Sequence, residues 1–354
     1  MNVGRIVHVF NDNSRKEPFS NHETRTIVVS IFYPAEVENA YNNETNYVEL
    51  FEPCTENALS VLKDMGVDID YFRSIKTQIH NNAKPNLTLN NYPVVLYAPA
   101  FGVVRDMYTY HIQQLVDYGF IVVSIGSTYE SIFSIFPEGR FVKQAEKISQ
   151  INGTDFQFWR ELLETRIEDI LYVMNHFEEL QSQLSSKPFD FGNIGIVGHS
   201  LGGAAAFEAA RRGTRIKAGV MLDASFHLLN LNENVKINTP FLIMRQEKCT
   251  HDELRNEFSE GIITPFVDGF ERLYTLLSGY KSFVKVQGAH HMTFSDVPMH
   301  YKEEKISEKH KTISNYATSF LSEFIQNKTE TYQSLLGSMQ FNKIVEINKK
   351  GEPI

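Results

Sequence analysis

The sequence predicts an α/β fold, a mostly parallel sheet with helices on both faces. Two observations carry that prediction. From residue 93 to residue 325, short apolar runs rich in β-branched residues alternate with longer stretches of helical spacing. Such alternation requires a parallel sheet covered on both sides. Within it, Asn193-Ile-Gly-Ile-Val-Gly-His-Ser-Leu-Gly-Gly-Ala-Ala-Ala-Phe207 reads as a buried strand, a very tight turn and a helix that opens on small residues.

The elements follow in order. Val7 to Phe10 is a short apolar run, and Asn11 to Lys16 reads as a turn. Thr26 to Tyr33 has strand composition, and Pro34 stops it. Residues 35 to 90 are polar and mixed, with helical spacing from Asn57 to Met65 and a loop from Asn81 to Asn91. They read as an excursion over the sheet. Pro93 to Ala98 is a buried parallel-type strand, followed by the turn Pro99-Ala100-Phe101-Gly102 and a helix from Asp106 to Tyr118 that Gly119 closes. Phe120 to Ile125 is the next strand. Gly126 to Gln157 is irregular and aromatic, as binding loops often are. Trp159 to Leu180 is an amphipathic helix. After the central turn, Lys217 to Leu222 and Pro240 to Met244 are strands. Asp252 to Leu277 is largely helical, with a break expected from Gly261 to Pro265. Ser282 to Val286 is the last expected strand, and Thr312 to Ile325 is a helix with one apolar face. The whole chain, 1–354, reads as one domain, with cap or lid segments at 126–157 and 252–277.

The apex of the central turn, Gly198-His199-Ser200-Leu201-Gly202, is a G-x-S-x-G pattern. A serine hydroxyl that stands proud of a sheet edge needs a strained backbone with no Cβ two residues to either side. The helix behind it offers unpaired N–H groups and a partial positive charge where an oxyanion would form. A strand, elbow and helix of this kind select the α/β-hydrolase version of the architecture, with a lid or insertion over the C-terminal edge of the sheet.

A serine nucleophile needs a base, and the base needs an orienting acid. In this architecture they follow in the order Ser, acid, His, each after the C-terminal end of a strand. Asp223 directly ends the strand after the elbow helix, where it could otherwise serve as a helix cap. Asp252 and Asp268 are rivals in the presumed lid. Of the twelve histidines, His290 and His291 follow the last expected strand. His300 and His310 are expected to be solvated, and His199 to pack beneath the turn. The oxyanion hole requires two backbone donors: Leu201, after the serine, and Phe101, in the turn after the strand at 93 to 98. This chemistry calls for no metal or organic cofactor.

Composition narrows the partners. The net charge is −9, and the 34 Lys and Arg residues are scattered, which argues against nucleic acid. No run of 18 apolar residues exists, so no membrane span is expected. Met1 to Phe10 lacks the charged and apolar regions of a leader, which suggests a cytoplasmic protein, or a secreted one if a leader has been removed. Two cysteines, Cys54 and Cys249, give neither a disulfide framework nor metal spacing and read as unpaired thiols. The 26 Phe and 16 Tyr residues suit a broad apolar cleft or simply a large core. Oligomeric state is not readable.

Five stretches resemble the platelet-activating-factor acetylhydrolase group of α/β-hydrolases and its bacterial esterase relatives. Ser30-Ile-Phe-Tyr-Pro-Ala35 is similar to the group's early strand end, and Leu96 to Tyr108 to its oxyanion strand and loop, including Gly102, Arg105 and Tyr108. Gly198 to Gly203 resembles its elbow, Met221-Leu-Asp223 its acid strand, and Gly288-Ala-His-His-Met-Thr-Phe-Ser-Asp296 its histidine loop. In that loop the group's base lies three residues before a Phe, which selects His291 over His290. The chain departs from the group in carrying Pro99-Ala100 where His-Gly is usual. The resemblance implies a serine carboxylic-ester hydrolase acting on short or oxidised acyl esters, with phospholipid sn-2 esters among the substrates it points to. A thioesterase, lactonase or amidase would use the same Ser200, Asp223 and His291. A catalytically silent scaffold that binds a ligand or partner is the reading from another class.

Overall fold

A computed structural model describes residues 2–20, 24–36, 44–88, 91–184, 188–231, 236–256, 258–338 and 343–354. Its frame is one ten-stranded sheet. In chain order the strands are β1 (Val3–Asp12), β2 (Arg25–Pro34), β3 (Ile79–Asn81), β4 (Tyr92–Ala98), β5 (Ile121–Ile125), β6 (Phe189–His199), β7 (Ile216–Leu222), β8 (Phe241–Arg245), β9 (Lys281–Val286) and β10 (Ile344–Glu346). Across the sheet they run β10-β9-β8-β7-β6-β4-β5-β2-β1-β3. The six from β9 to β5 are parallel, while β2 and β10 flank them antiparallel.

Alternation along each buried strand sends side chains into two apolar layers. Val94, Leu96 and Ala98 of β4 join the layer beneath α2 (Phe156–Asn175) and α3 (Leu201–Arg212). Val95 and Tyr97 join the layer beneath α1 (Thr109–Asp117) and α5 (Ile306–Ile325). Both faces are therefore covered, as an α/β-hydrolase fold requires. α4 (Glu260–Leu276) lies against the loop after β7, where the backbone of His227 leaves no room for a Cβ at Gly269.

Several expectations need correction. β1 is far longer than Val7 to Phe10, because it pairs with all of β2 from Val3 to Asp12. The excursion at 35 to 90 returns to the sheet, where β3 pairs parallel with β1. β10 follows the supposed last strand and pairs with β9. Gly126 to Gln157 holds a hairpin, Phe133–Ile135 with Phe141–Lys143, and a short helix. α4 runs through Gly261 and Pro265, and the interruption falls before it, between Leu254 and Glu260. Cys54 and Cys249, by contrast, are free thiols as expected, and both are buried.

Candidate active site

The C-terminal ends of β4, β6, β7 and β9 lie along one edge of the sheet, where ligands bind in open α/β sheets. Ser200 sits between β6 and α3 with φ +56° and ψ −122°, a conformation that costs energy for any residue with a Cβ. Its neighbours impose this turn. Its N–H donates to the Leu222 carbonyl at 3.0 Å, and its own carbonyl accepts from the Ser225 N–H at 3.0 Å. A Cβ on Gly198 would lie 2.7 Å from the Gly203 Cα, and one on Gly203 would lie 2.6 Å from the Ala224 Cβ. Strand, elbow and acid loop thus close on one another with no side chain between them.

Three predicted residues meet here. His291 Nε2 lies 2.9 Å from Ser200 Oγ, and His291 Nδ1 lies 2.6 Å from Asp223 Oδ2. Asp223 is fully buried, while the His291 side chain is partly open to solvent. Burial alone would push the Asp223 carboxyl up, but the His291 hydrogen bond and charge outweigh it. Arg245 adds to them, so the carboxyl is held below the ordinary aspartate range. Gln246 N–H also points at Asp223 Oδ1, at 3.4 Å.

Opposite the elbow, the Pro99-Ala100-Phe101 turn is held by buried polar groups. Arg166 of α2 donates to the Pro99 and Ala100 carbonyls and forms a buried ion pair with Glu130. The Ala100 N–H donates to the Tyr108 hydroxyl at 2.7 Å. Among the described residues, no backbone carbonyl outside the helix takes the Leu201 N–H, and none takes the Phe101 N–H. The turn closes directly on the elbow helix, where the Pro99 carbonyl oxygen leaves no room for a Cβ on Gly202. The Phe101 ring packs edge-on against Trp159, 4.8 Å between centroids. Further round, Phe156 and Phe266 contact the ring of His227, on the loop after Asp223.

The chain is similar to known proteins. Residues 165–316 match the model of the family described as platelet-activating factor acetylhydrolase, isoform II. A probable 1-alkyl-2-acetylglycerophosphocholine esterase of Arthroderma benhamiae is 23% identical over 309 residues, covering 84% of this chain and 74% of that protein. The solved structure of a ferulic acid esterase from Streptomyces cinnamoneus superposes with a TM-score of 0.77 at 22% identity, covering 98% of this chain and 96% of the other. The chain is an ester-hydrolysing enzyme with an α/β-hydrolase fold, and it is similar to the platelet-activating factor acetylhydrolases.

In this esterase the rival residues lie elsewhere. His290 turns outward to Glu303, 2.7 Å away. Asp252 and Asp268 are exposed. His300 and His310, expected in solvent, are buried, 2% and 4% exposed, because the chain after the histidine loop folds back into the layer beneath α5. His199 does pack beneath the turn, but it is hydrogen-bonded at both ring nitrogens. Sequence reasoning missed Arg166, Glu130 and Arg245. Arg166 left a signal: it interrupts the apolar stripe formed by Leu162, Leu163, Ile167 and Ile170, and a charge there must find a buried partner. No helix among the described residues is long and apolar enough to cross a membrane.

Proposed function

We propose that this esterase cleaves carboxylic esters through an acyl-enzyme on Ser200, with His291 as base and Asp223 as the group that orients it. The observation that carries the reading is the unbroken contact from Ser200 Oγ to His291 Nε2 and from His291 Nδ1 to Asp223 Oδ2. Ser200 Oγ attacks the ester carbonyl while its proton passes to His291 Nε2. Asp223 accepts the Nδ1–H and stabilises the imidazolium. The Phe101 and Leu201 N–H groups bind the tetrahedral oxygen. As the intermediate collapses, the alcohol leaves with the proton from Nε2. Water then repeats the sequence and releases the acid and free Ser200.

The proposed substrates are small-molecule or lipid esters with short or oxidised acyl chains, phospholipid sn-2 esters among them. The family match and the acetyl ester named for the fungal relative support this choice. Residues 126–157 and 252–277 enter the proposal as the segments that cap the cleft within a single domain. Their half-buried Phe156 and Phe266 both contact the ring of His227.

The test is turnover of p-nitrophenyl acetate and butyrate by the wild type and Ser200→Ala, with fluorophosphonate labelling alongside. Abolished turnover and labelling are expected, and turnover surviving in Ser200→Ala would sink the reading. A series of acyl lengths that includes a 2-acetyl phospholipid then locates the preferred ester. A thioester arm tests the main alternative leaving group.

A further inference from the structure

A second hydrogen-bonded chain runs beneath the proposed catalytic residues, and the mechanism above makes no use of it. It begins at the oxyanion turn, where the Ala100 N–H donates to the Tyr108 hydroxyl at 2.7 Å. Tyr108 Oη lies 3.1 Å from His199 Nδ1, and His199 Nε2 lies 2.9 Å from the backbone carbonyl of His291. Tyr108 and His199 are both fully buried.

The direction of every proton in this chain is fixed by its ends. The His291 carbonyl can only accept, so His199 Nε2 carries hydrogen. Burial, reinforced by the charge on His291, holds the His199 pKa well below the ordinary histidine range, so the ring is neutral and its Nδ1 is an acceptor. The Tyr108 hydroxyl therefore donates to Nδ1, and its oxygen accepts from Ala100. Burial likewise raises the Tyr108 pKa, so the phenol keeps its proton. The result is a one-way chain from Ala100 N–H through Tyr108 and His199 to the carbonyl of His291. It links the strand ends of β4 and β6 to the loop after β9. The rings of His199 and His291 are also in contact, 5.0 Å between centroids.

The His291 side chain is partly solvent-exposed on a short loop. Its ring nitrogens are spoken for by Ser200 and Asp223, neither of which fixes its backbone. His199 grips that backbone directly, from the residue next to the nucleophile.

We infer that His199 and Tyr108 are positioning residues, which lock the backbone of His291 and the oxyanion turn into one register with Ser200. The inference rests on the proposed roles of Ser200 and His291. His199 touches no reacting atom, and its neutral ring remains a donor to His291 whether His291 is free or protonated. Its effect belongs to kcat more than to KM, since misplacing a base by a fraction of an ångström disturbs the reaction more than binding.

Three variants test it: His199→Leu, His199→Gln and Tyr108→Phe. Leu removes both hydrogen bonds at similar volume. Gln can place an N–H near the former Nε2 position. Phe deletes one oxygen and leaves Ala100 and His199 Nδ1 without it. Expected are a fall of roughly tenfold or more in kcat for Leu with KM within about threefold, and recovery of most of that loss in Gln. An intermediate fall is expected for Phe. The phosphonylation rate of Ser200 should follow the same order. A purely structural role would lower the melting temperature and leave kcat per labelled Ser200 unchanged. Wild-type kcat in folded Leu and Phe variants overturns the inference. If Leu does not fold, Phe alone decides on the same criterion. Ser200→Ala run in parallel separates the two failures. If it retains turnover, the catalytic reading itself falls. If it is dead while folded Leu and Phe variants are fully active, only the positioning role does.

Discussion

At Asp223 two opposed effects meet, and their balance keeps the carboxyl that contacts His291 ionised. Complete burial disfavours the carboxylate, while the His291 hydrogen bond and the buried guanidinium of Arg245 favour it. Arg245 is itself unusual. It stacks on Phe270 at 3.7 Å, and its Nε and Nη2 are among the described buried atoms with no hydrogen-bond partner. Its charge thus acts mainly through space. Arg245→Met takes a cation away from the Asp223–His291 pair. The Asp223 carboxylate then becomes easier to protonate, and the acid limb of kcat/KM should move to higher pH, by about half a unit to one unit. A pH–rate profile with an unmoved acid limb contradicts this. Asp223→Asn tests the pair more severely. An amide can donate to Nδ1 and favour the wrong tautomer, so kcat should fall by about 10³–10⁴-fold with the fold intact, as in other serine hydrolases with this arrangement. His290→Ala, which loses the outward contact with Glu303, should keep activity within about twofold; a loss like that of His291→Ala in the same ester assay would reassign the base.

Among the elements, α2 does the most to hold the turn proposed as the oxyanion side, because Arg166 reaches from its buried face to two carbonyls of Pro99-Ala100. The pair with Glu130 is nearly solvent-free, with side chains 4% and 3% exposed. Removing one partner leaves a buried charge, so Arg166→Met or Glu130→Leu should each cost about 3–5 kcal/mol of stability. The double variant should regain much of that stability, since no lone charge remains, yet keep a lowered kcat because the carbonyls have lost their donor. Chemical denaturation and ester turnover measured on the same three proteins check both halves. These elements also mark what is legible without coordinates. Strands β4 to β9 announce themselves as β-branched runs, and the order Ser200, Asp223, His291 follows from strand ends. β3 and β10 are three residues each at the sheet's margins and carry little pattern of their own. Pro265 looks like a breaker because local propensity ignores packing, yet Val267, Phe270 and Leu273 bury the helix that contains it. The supports of the site, such as the Arg166–Glu130 pair, depend on contacts between distant segments that sequence order does not report.

At the scale of the whole molecule, Asp296 ties three regions together. Its Oδ2 accepts from the Tyr47 hydroxyl and from both the N–H and hydroxyl of Thr109, 2.8 Å each, while its own N–H donates to the Met107 carbonyl. The early excursion, the start of α1 and the end of the histidine loop therefore share one carboxyl. Burial pushes the Asp296 pKa up to about 6, against which its hydrogen bonds work only in part. A folded-state pKa raised above the unfolded value gives stability that is complete below the unfolded pKa, near 3.8, and is lost as pH rises through about 6. Nearby histidines pull the other way. Burial lowers His111 and His300 to about 3 and His310 to about 4, so their contribution is complete above the unfolded value of 6.5 and is lost as pH falls. The histidines outnumber the aspartate, so acidification should destabilise the wild type overall and hide the Asp296 contribution. Comparison with Asp296→Asn uncovers it, because the histidine contribution is common to both proteins. Between pH 8 and pH 5 the wild type should gain stability relative to the variant by about 1.4 kcal/mol, roughly half of what the full shift supplies near pH 3. Melting curves of the two proteins across that range give the difference directly, and a constant gap between them would show that Asp296 stays ionised throughout.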